Sequence, residues 1–367
     1  MKKIFLILLL SCSYTNAQQV FGFNAVPAEF TKVTDQLIVK NMPEIRSQDS
    51  IGICYAFSAA AILEHSLCKE NGVDCKSEQA VSNYRASTLA LCKYATDSTA
   101  FDASNANAYP KKISNIRTFG ADIIQNTLRI GKVSKESCAP FDKFVSKERN
   151  SKAQAAMEDA IWSQFKRSYE QFHAQFKGCE ECALKDIAAQ KHAEDMIQKF
   201  SLKATNEEVL KSFASNSYEE FLYRVLVPVE CTSKPSNRIT VLKQNRNLKR
   251  WPNEATTSPD YGQAIQKIKE NLSRDRPVMV DSFCTLKKIT PECAHFSPNG
   301  VEAGSHSFVI SGYRKICNSA GDQCYDSVKV HNSWGQTWQD ANNDGWVDAK
   351  TLIERTQFQY GSLAWIE

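Results

Sequence analysis

The sequence predicts an α+β protein whose helices and strands are segregated along the chain. Apolar residues recur at helical spacing up to about residue 229, and short strand patterns follow towards the C-terminus. Of the 367 residues, 23% are charged and 42% are hydrophobic, which is typical of a globular protein with a sizeable core. No internal repeat or low-complexity segment stands out in the sequence.

The N-terminal residues predict a secretory signal peptide over residues 1–17. Two lysines precede an apolar run, and small residues end it at Ala17. Lipid attachment at Cys12 is the alternative, because the residues before it are close to a lipoprotein motif. No other stretch approaches the roughly 18 apolar residues of a membrane span. We therefore expect a secreted or periplasmic protein.

The helical signals begin with a helix that starts at Cys54. The loop sequence QDSIGI precedes this cysteine, and an apolar, Ala-rich segment follows it as far as Gly72. Free amide groups and the positive end of the helix dipole lie at a helix start, where they stabilise a thiolate. Two further helices are predicted, one with Ser77 as its N-cap and one over residues 122–129. These elements form a predicted N-terminal unit over residues 18–141.

Residues 142–229 predict an inserted helical subdomain. One helix carries an apolar stripe at steps of four, four, three and four, and a second helix covers residues 183–200. Thr205 and Ser217 are each followed three residues later by Glu, a capping-box pattern that predicts two more helices, the last of them closed by Pro228. The stripe consists of Ile161, Phe165, Tyr169, Phe172 and Phe176.

Strand patterns fill the predicted C-terminal unit, residues 230–367. They cover residues 276–281, 307–313, 325–332 and 361–366. His306 stands at the start of the second strand, and Asn332 ends the third, followed by Ser-Trp-Gly. Both residue types can assist a nucleophilic cysteine if the fold brings them to it.

The chain order Gln48, Cys54, His306 and Asn332, with Asn-Ser-Trp-Gly around the last, resembles the papain-like cysteine peptidases. The resemblance implies a two-lobed fold, with a helical N-terminal lobe and a β-rich C-terminal lobe. It covers about residues 26–141 together with 277–367, so the helical insertion lies outside it.

The resemblance also implies a role for each residue. Cys54 attacks a peptide carbonyl and forms a thioester that water hydrolyses, and His306 holds the proton of the thiol as an imidazolium. Asn332 orients the imidazole, and Trp334 covers their hydrogen bond from water. Gln48 donates to the developing oxyanion together with the backbone N–H of Cys54.

The implied protein is a cysteine endopeptidase, a monomeric hydrolase that cuts protein or peptide substrates and uses no cofactor or metal. Related acyl-transfer enzymes, such as transpeptidases and cell-wall amidases, use the same Cys and His, and an inactive binding protein on this scaffold is also an open alternative.

The formal charge of +4 falls by two to +2 without Lys2 and Lys3, which favours neither nucleic acid nor a membrane surface as partner. Residues 340–345 match half of a calcium loop, but Thr351 replaces its final Glu, so we predict a turn before a strand.

The chain departs from the family pattern around the nucleophile. Ile51-Gly52-Ile53 stands where the family has Cys-Gly-Ser or Cys-Gly-Ala, so the usual disulfide there is lost. His306 lies 252 residues after Cys54, against roughly 130 to 150 in the family, and the helical insertion accounts for the excess. Residues 18–48 leave no room for a helical inhibitory propeptide, so the insertion itself is a candidate shield of the cleft.

Thirteen cysteines behind a signal peptide indicate an oxidising compartment. Without Cys12 and Cys54, eleven remain, so at least one is free or pairs between chains. A redox pair or half a zinc site at Cys179 and Cys182 is disfavoured, because no second such pair accompanies them. Spacing suggests four disulfides but leaves the connectivity open: Cys68 with Cys75, Cys179 with Cys182, Cys284 with Cys293, and Cys317 with Cys324.

Overall fold

A computed structural model of the protein describes residues 23–49, 51–95, 120–143, 151–177, 183–200, 204–241, 246–256, 259–285, 305–356, 358 and 361–367. The predicted signal peptide and its alternative, lipid attachment at Cys12, lie outside these ranges. The helices are α1 (Cys54–Asn71), α2 (Glu78–Tyr84), α3 (Thr88–Leu91), α4 (Gly120–Ile130), α5 (Ser151–Gln175), α6 (Ala183–Phe200), α7 (Asn206–Ser212), α8 (Tyr218–Leu226), α9 (Val229–Ser233), α10 (Tyr261–Leu272), α11 (Gln336–Ala341) and α12 (Ala349–Glu354).

The strands complete a mixed α and β structure, which confirms the predicted α+β class. They are β1 (Phe30–Ile38), β2 (Lys132–Ser134), β3 (Arg238–Thr240), β4 (Leu248–Trp251), β5 (Val278–Cys284), β6 (Ser305–Asn318), β7 (Cys324–His331), β8 (Trp346–Asp348) and β9 (Leu363–Ile366).

Helix α1 lies at the centre of the helical part and begins at Cys54, as predicted. Thirteen of its 18 residues are buried, and the small side chains of Ala59 and Ala60 are fully covered. Small side chains allow close approach, and α1 packs against both β6 and α4. Gly72 ends the helix with φ of 62°, a left-handed conformation that favours glycine.

The helices of residues 151–233 pack onto the same apolar core as α1 and α4. Phe165 and Phe172 of the predicted stripe are buried in it. The capping box at Thr205 is confirmed, with both reciprocal hydrogen bonds present. Ser217 also caps its helix, but the carboxylate of Glu220 accepts the N–H of the preceding residue instead of that of Ser217.

Seven strands form one antiparallel sheet in the order β4-β9-β5-β6-β7-β8, with β1 paired to β6. Strands β5, β6, β7 and β9 occupy the four segments predicted as strands. Strand β1 was not predicted, because most of its residues are exposed and it lacks an alternating apolar face. Its pairing with the long strand β6 supplies the hydrogen bonds that hold it. Strands β2 and β3 form a separate two-stranded sheet.

Disulfides tie the chain at several places. The pairs Cys68–Cys75 and Cys317–Cys324 confirm two predictions, and Cys138–Cys231 was not predicted, because 93 residues separate its members. Cys284 is also disulfide-bonded, whereas Cys179, Cys182 and Cys293 lie outside the described residues. Buried Cys92 is free, which is one of the two outcomes that the odd cysteine count allows. These bonds are consistent with an oxidising compartment. Each helix among the described residues is too short or too polar to span a lipid bilayer.

We expect the Cys138–Cys231 bond to stabilise the fold more than any short-loop disulfide. A cross-link limits the unfolded chain more when it closes a longer loop, which predicts a loss of about 4.6 kcal/mol in the free energy of unfolding for Cys138→Ala with Cys231→Ala. The control is Cys317→Ala with Cys324→Ala, whose loop of 7 residues predicts a loss of about 2 kcal/mol. Denaturant unfolding measures both, and equal losses would contradict the expectation.

Candidate active site

The fold brings together three of the residues that the sequence singles out. Cys54 is the first residue of α1, His306 is the second residue of β6, and Asn332 follows β7 directly. Strands β6 and β7 are antiparallel neighbours with Val309 opposite His331, so His306 and Asn332 lie at the same end of the sheet. Helix α1 packs against β6 and starts beside that end.

A short hydrogen bond joins the buried side chains of His306 and Asn332. The distance between Nε2 of His306 and Oδ1 of Asn332 is 2.8 Å, and the backbone N–H of Ser333 donates to the same oxygen. Because this oxygen can only accept, Nε2 carries a proton and the neutral ring keeps Nδ1 as its basic nitrogen. The indole of Trp334 stacks on the imidazole with the ring centres 4.5 Å apart, and so shields the His306–Asn332 bond.

The sulfur of Cys54 lies against the segment that carries His306. The backbone N–H groups of Ser307, the next residue after His306, and of Tyr55 and Cys54 itself lie close enough to the sulfur to lower the pKa of its thiol. Ile53 occupies the N-cap position and makes no side-chain capping bond, so no capping side chain occupies the N–H groups at the helix start. The cysteine is half-buried.

Burial sets the resting protonation of this site. Desolvation raises the pKa of Cys54 to about 11, and the nearby backbone N–H of Ser307 offsets this only in part. Desolvation also lowers the pKa of His306 to about 4, against the hydrogen bond from Asn332. The expected stabilisation of a thiolate by the helix start is therefore outweighed, and both groups are neutral at rest. Reaction requires that a proton pass from sulfur to imidazole.

Hydrogen bonds at both the oxygen and the nitrogen of its amide hold the buried side chain of Gln48. Its oxygen accepts from the hydroxyl of Ser333 at 2.5 Å, and its nitrogen donates to the backbone carbonyl of Ile51 at 3.0 Å. The backbone N–H of Gln48 also donates to the carbonyl of Ser333. These bonds tie the loop before Cys54 to the segment after Asn332. One amide N–H remains for a further acceptor.

Asp281 is a residue of this site that the sequence reasoning missed. Its buried carboxylate accepts from the hydroxyl of Ser307 at 2.5 Å and from the backbone N–H groups of Gly120 and Ala121 at 3.1 and 3.3 Å. Desolvation raises its pKa to about 6. The available signal was an acidic residue inside the apolar strand sequence Val-Met-Val-Asp, since a buried strand rarely carries an unpaired charge.

A search against models of known protein families finds no match for this chain, and a search among curated proteins finds none either. Among the described residues, no cluster of three or more His, Cys, Asp or Glu side chains is arranged to hold a metal ion. The half calcium-loop sequence forms the predicted turn, which connects α11 to β8.

Proposed function

We propose that the chain is a secreted or periplasmic cysteine endopeptidase of the papain-like type, with a helical lobe and a β-rich lobe on either side of its cleft. The observation that carries the proposal is the buried hydrogen bond between His306 and Asn332, with the sulfur of Cys54 near the backbone N–H of Ser307, the residue after His306. Nucleophile, base and orienting amide come from three separate elements, which is the arrangement that nucleophilic catalysis needs.

The proposed reaction moves one proton between two side chains. The sulfur of Cys54 forms a bond to the peptide carbonyl carbon while Nδ1 of His306 takes the thiol proton. The C–N bond then breaks as His306 returns that proton to the leaving amine, which leaves a thioester on Cys54. Water attacks the thioester, gives a proton to His306, and releases the acid as the thiol is restored.

The cost of keeping these groups buried favours an enzyme over an inactive binding protein. The Nδ2 atom of Asn332 is buried and has no hydrogen-bond partner among the described residues, and a buried donor without a partner costs about 1–3 kcal/mol. A pKa of about 4 likewise means that His306 resists protonation. A protein that only binds has no reason to keep both features at the start of a cysteine-bearing helix.

Two measurements on the full-length protein test the proposal. An epoxide directed at reactive thiols is expected to label Cys54 and to leave the free thiol of Cys92 unlabelled, as read by peptide mapping. A digest of a peptide library is expected to give new carboxyl and amino termini in equal amounts. Labelling of Cys92 instead, or no cleavage of any peptide, would defeat the proposal. Products joined to an added amine would identify an acyl-transfer enzyme instead of a hydrolase.

Gln48→Ala is expected to lower kcat by about 10²–10³-fold with little change in KM, because an oxyanion donor acts mainly in the transition state. Steady-state kinetics on a cleaved peptide measures the effect. The control is Gln336→Ala, which removes an exposed amide from α11 that bonds only to Asp340 in the described part of the chain. A change confined to KM would show that Gln48 has no such role.

A further inference from the structure

Strand β5 is irregular beside the candidate nucleophile. Its register with β6 shifts between Val280 and Phe283, so Asp281 and Ser282 together lie opposite Ser307. Ser282 has φ of 63°, a left-handed conformation that side-chain-bearing residues rarely adopt. Its buried hydroxyl has no hydrogen-bond partner among the described residues. Bulges and strained residues of this kind often redirect a neighbouring side chain at a functional site.

The bulge directs Asp281 to the junction of three elements. Its carboxylate joins Ser307 of β6 to the first two N–H groups of α4. Helix α4 starts very close to α1 here, since a Cβ atom on Gly120 would lie 2.8 Å from the carbonyl oxygen of Tyr55. Only glycine allows this approach. Asp281 therefore connects the segment bearing His306 to the start of the helix that bears Cys54.

We propose that Asp281 is a positioning residue of this site, which holds Ser307 and the strand that bears His306 beside the start of α1 and sets the charge around the sulfur of Cys54. This inference rests on the proposed peptidase function. The hydroxyl of Ser307 donates to Asp281 at 2.5 Å, and the backbone N–H of the same residue lies close enough to the sulfur of Cys54 to lower its pKa. Movement of one must therefore disturb the other.

The charge of Asp281 acts against ionisation of Cys54. Among the described residues, its carboxylate bonds to two N–H groups and a hydroxyl, and to no cation. The groups facing it are Cys54 on α1, the Ser307 segment on β6, and Asp122 on α4, whose carboxylate pairs with Arg250 of β4 at 2.7 Å. Burial raises the pKa of Cys54 most and the negative charge of Asp281 raises it further, so the thiol stays protonated until the reaction begins.

Two substitutions are expected to shift the reactivity of Cys54 in opposite directions. Asp281→Asn keeps a hydrogen bond to Ser307 but removes the charge, so the pH midpoint of Cys54 alkylation should fall by about one unit. Ser307→Ala keeps the charge but frees the backbone, so the N–H is lost from the sulfur and the midpoint should rise. A purely structural role would move both midpoints the same way or neither.

The measurement is the rate of iodoacetamide alkylation of Cys54 across pH in the full-length protein, with peptide mapping to separate it from Cys92. Asp326→Asn is the control, because this half-buried carboxylate on β7 accepts from two tyrosine hydroxyls, those of Tyr261 and Tyr313. An unchanged midpoint in Asp281→Asn, or an equal shift in the control, overturns the inference. If Asp281→Asn does not fold, an unchanged midpoint in Ser307→Ala overturns it. Opposite shifts in a protein that cleaves no peptide would retain the positioning role and reject the peptidase.

Discussion

Cys54→Ala is expected to lower kcat/KM for peptide cleavage by about 10⁴-fold or more, because the acyl-enzyme bond can no longer form. The remaining turnover would come from binding and oxyanion stabilisation alone. Progress curves on a peptide found in the library digest measure the loss. The free energy of unfolding should stay within about 1 kcal/mol of the wild-type value, because Cys54 is half-buried and its substitution leaves α1 intact.

Cys92→Ala is the matched control for this loss. Cys92 is also free, but it is fully buried, contacts the hydroxyl of Tyr55 and donates to the carbonyl of Thr88. Burial raises its pKa to about 12, so it is chemically inert at neutral pH. The variant should keep the proposed peptidase activity and lose some stability. Activity lost with Cys92 and retained without Cys54 would exclude Cys54 as the nucleophile.

His306→Gln is expected to lower kcat by about 10²–10⁴-fold, because the amide cannot take the thiol proton yet can still donate to Asn332. His65→Gln is the control. His65 is equally buried in α1, donates to the carbonyl of Lys40, and also has its pKa lowered by burial to about 4. Its substitution removes a buried histidine without removing the proposed base. Comparable losses of kcat in the two variants would contradict the role of His306.

His306→Gln and His65→Gln are also expected to change how the free energy of unfolding depends on pH. The pKa of each histidine is about 4 in the folded protein, below the ordinary 6.5, so the unfolded chain binds protons more readily. Their contribution to stability is complete above about pH 6.5 and is lost as the pH falls towards 4. Between pH 7 and pH 4, the free energy of unfolding of each variant should therefore fall by up to about 3 kcal/mol less than that of the wild type. Denaturant unfolding at the two pH values measures this difference.

The parts of the fold that depend on local chemistry could be predicted from the sequence. A helix start needs only a side chain that accepts a nearby N–H, and Ser77, Thr205 and Ser217 each cap a helix as expected. The short-loop disulfide of Cys68 with Cys75 is local in the same sense. Strand β1 and the Cys138–Cys231 bond could not be predicted, because partners far along the chain stabilise them.

The residues of the candidate site also fall into those that could be predicted from the sequence and one that could not. Gln48, Cys54, His306 and Asn332 could be chosen because their types and order suit one chemistry, and the structure places the imidazole and the amide 2.8 Å apart. Asp281 could not be assigned a role, because its hydrogen bonds depend on a bulge in β5 and on the close approach of two helices. Neither feature has a local sequence pattern.

By itself, the sequence determined the α+β class, the helix that starts at Cys54 and the identity of the groups able to react. Only the tertiary structure decided whether those groups meet and in which protonation state they rest. The reason is physical: helix and strand propensities act over a few residues, whereas the pKa values of Cys54 and His306 are set by water excluded through packing of the whole protein.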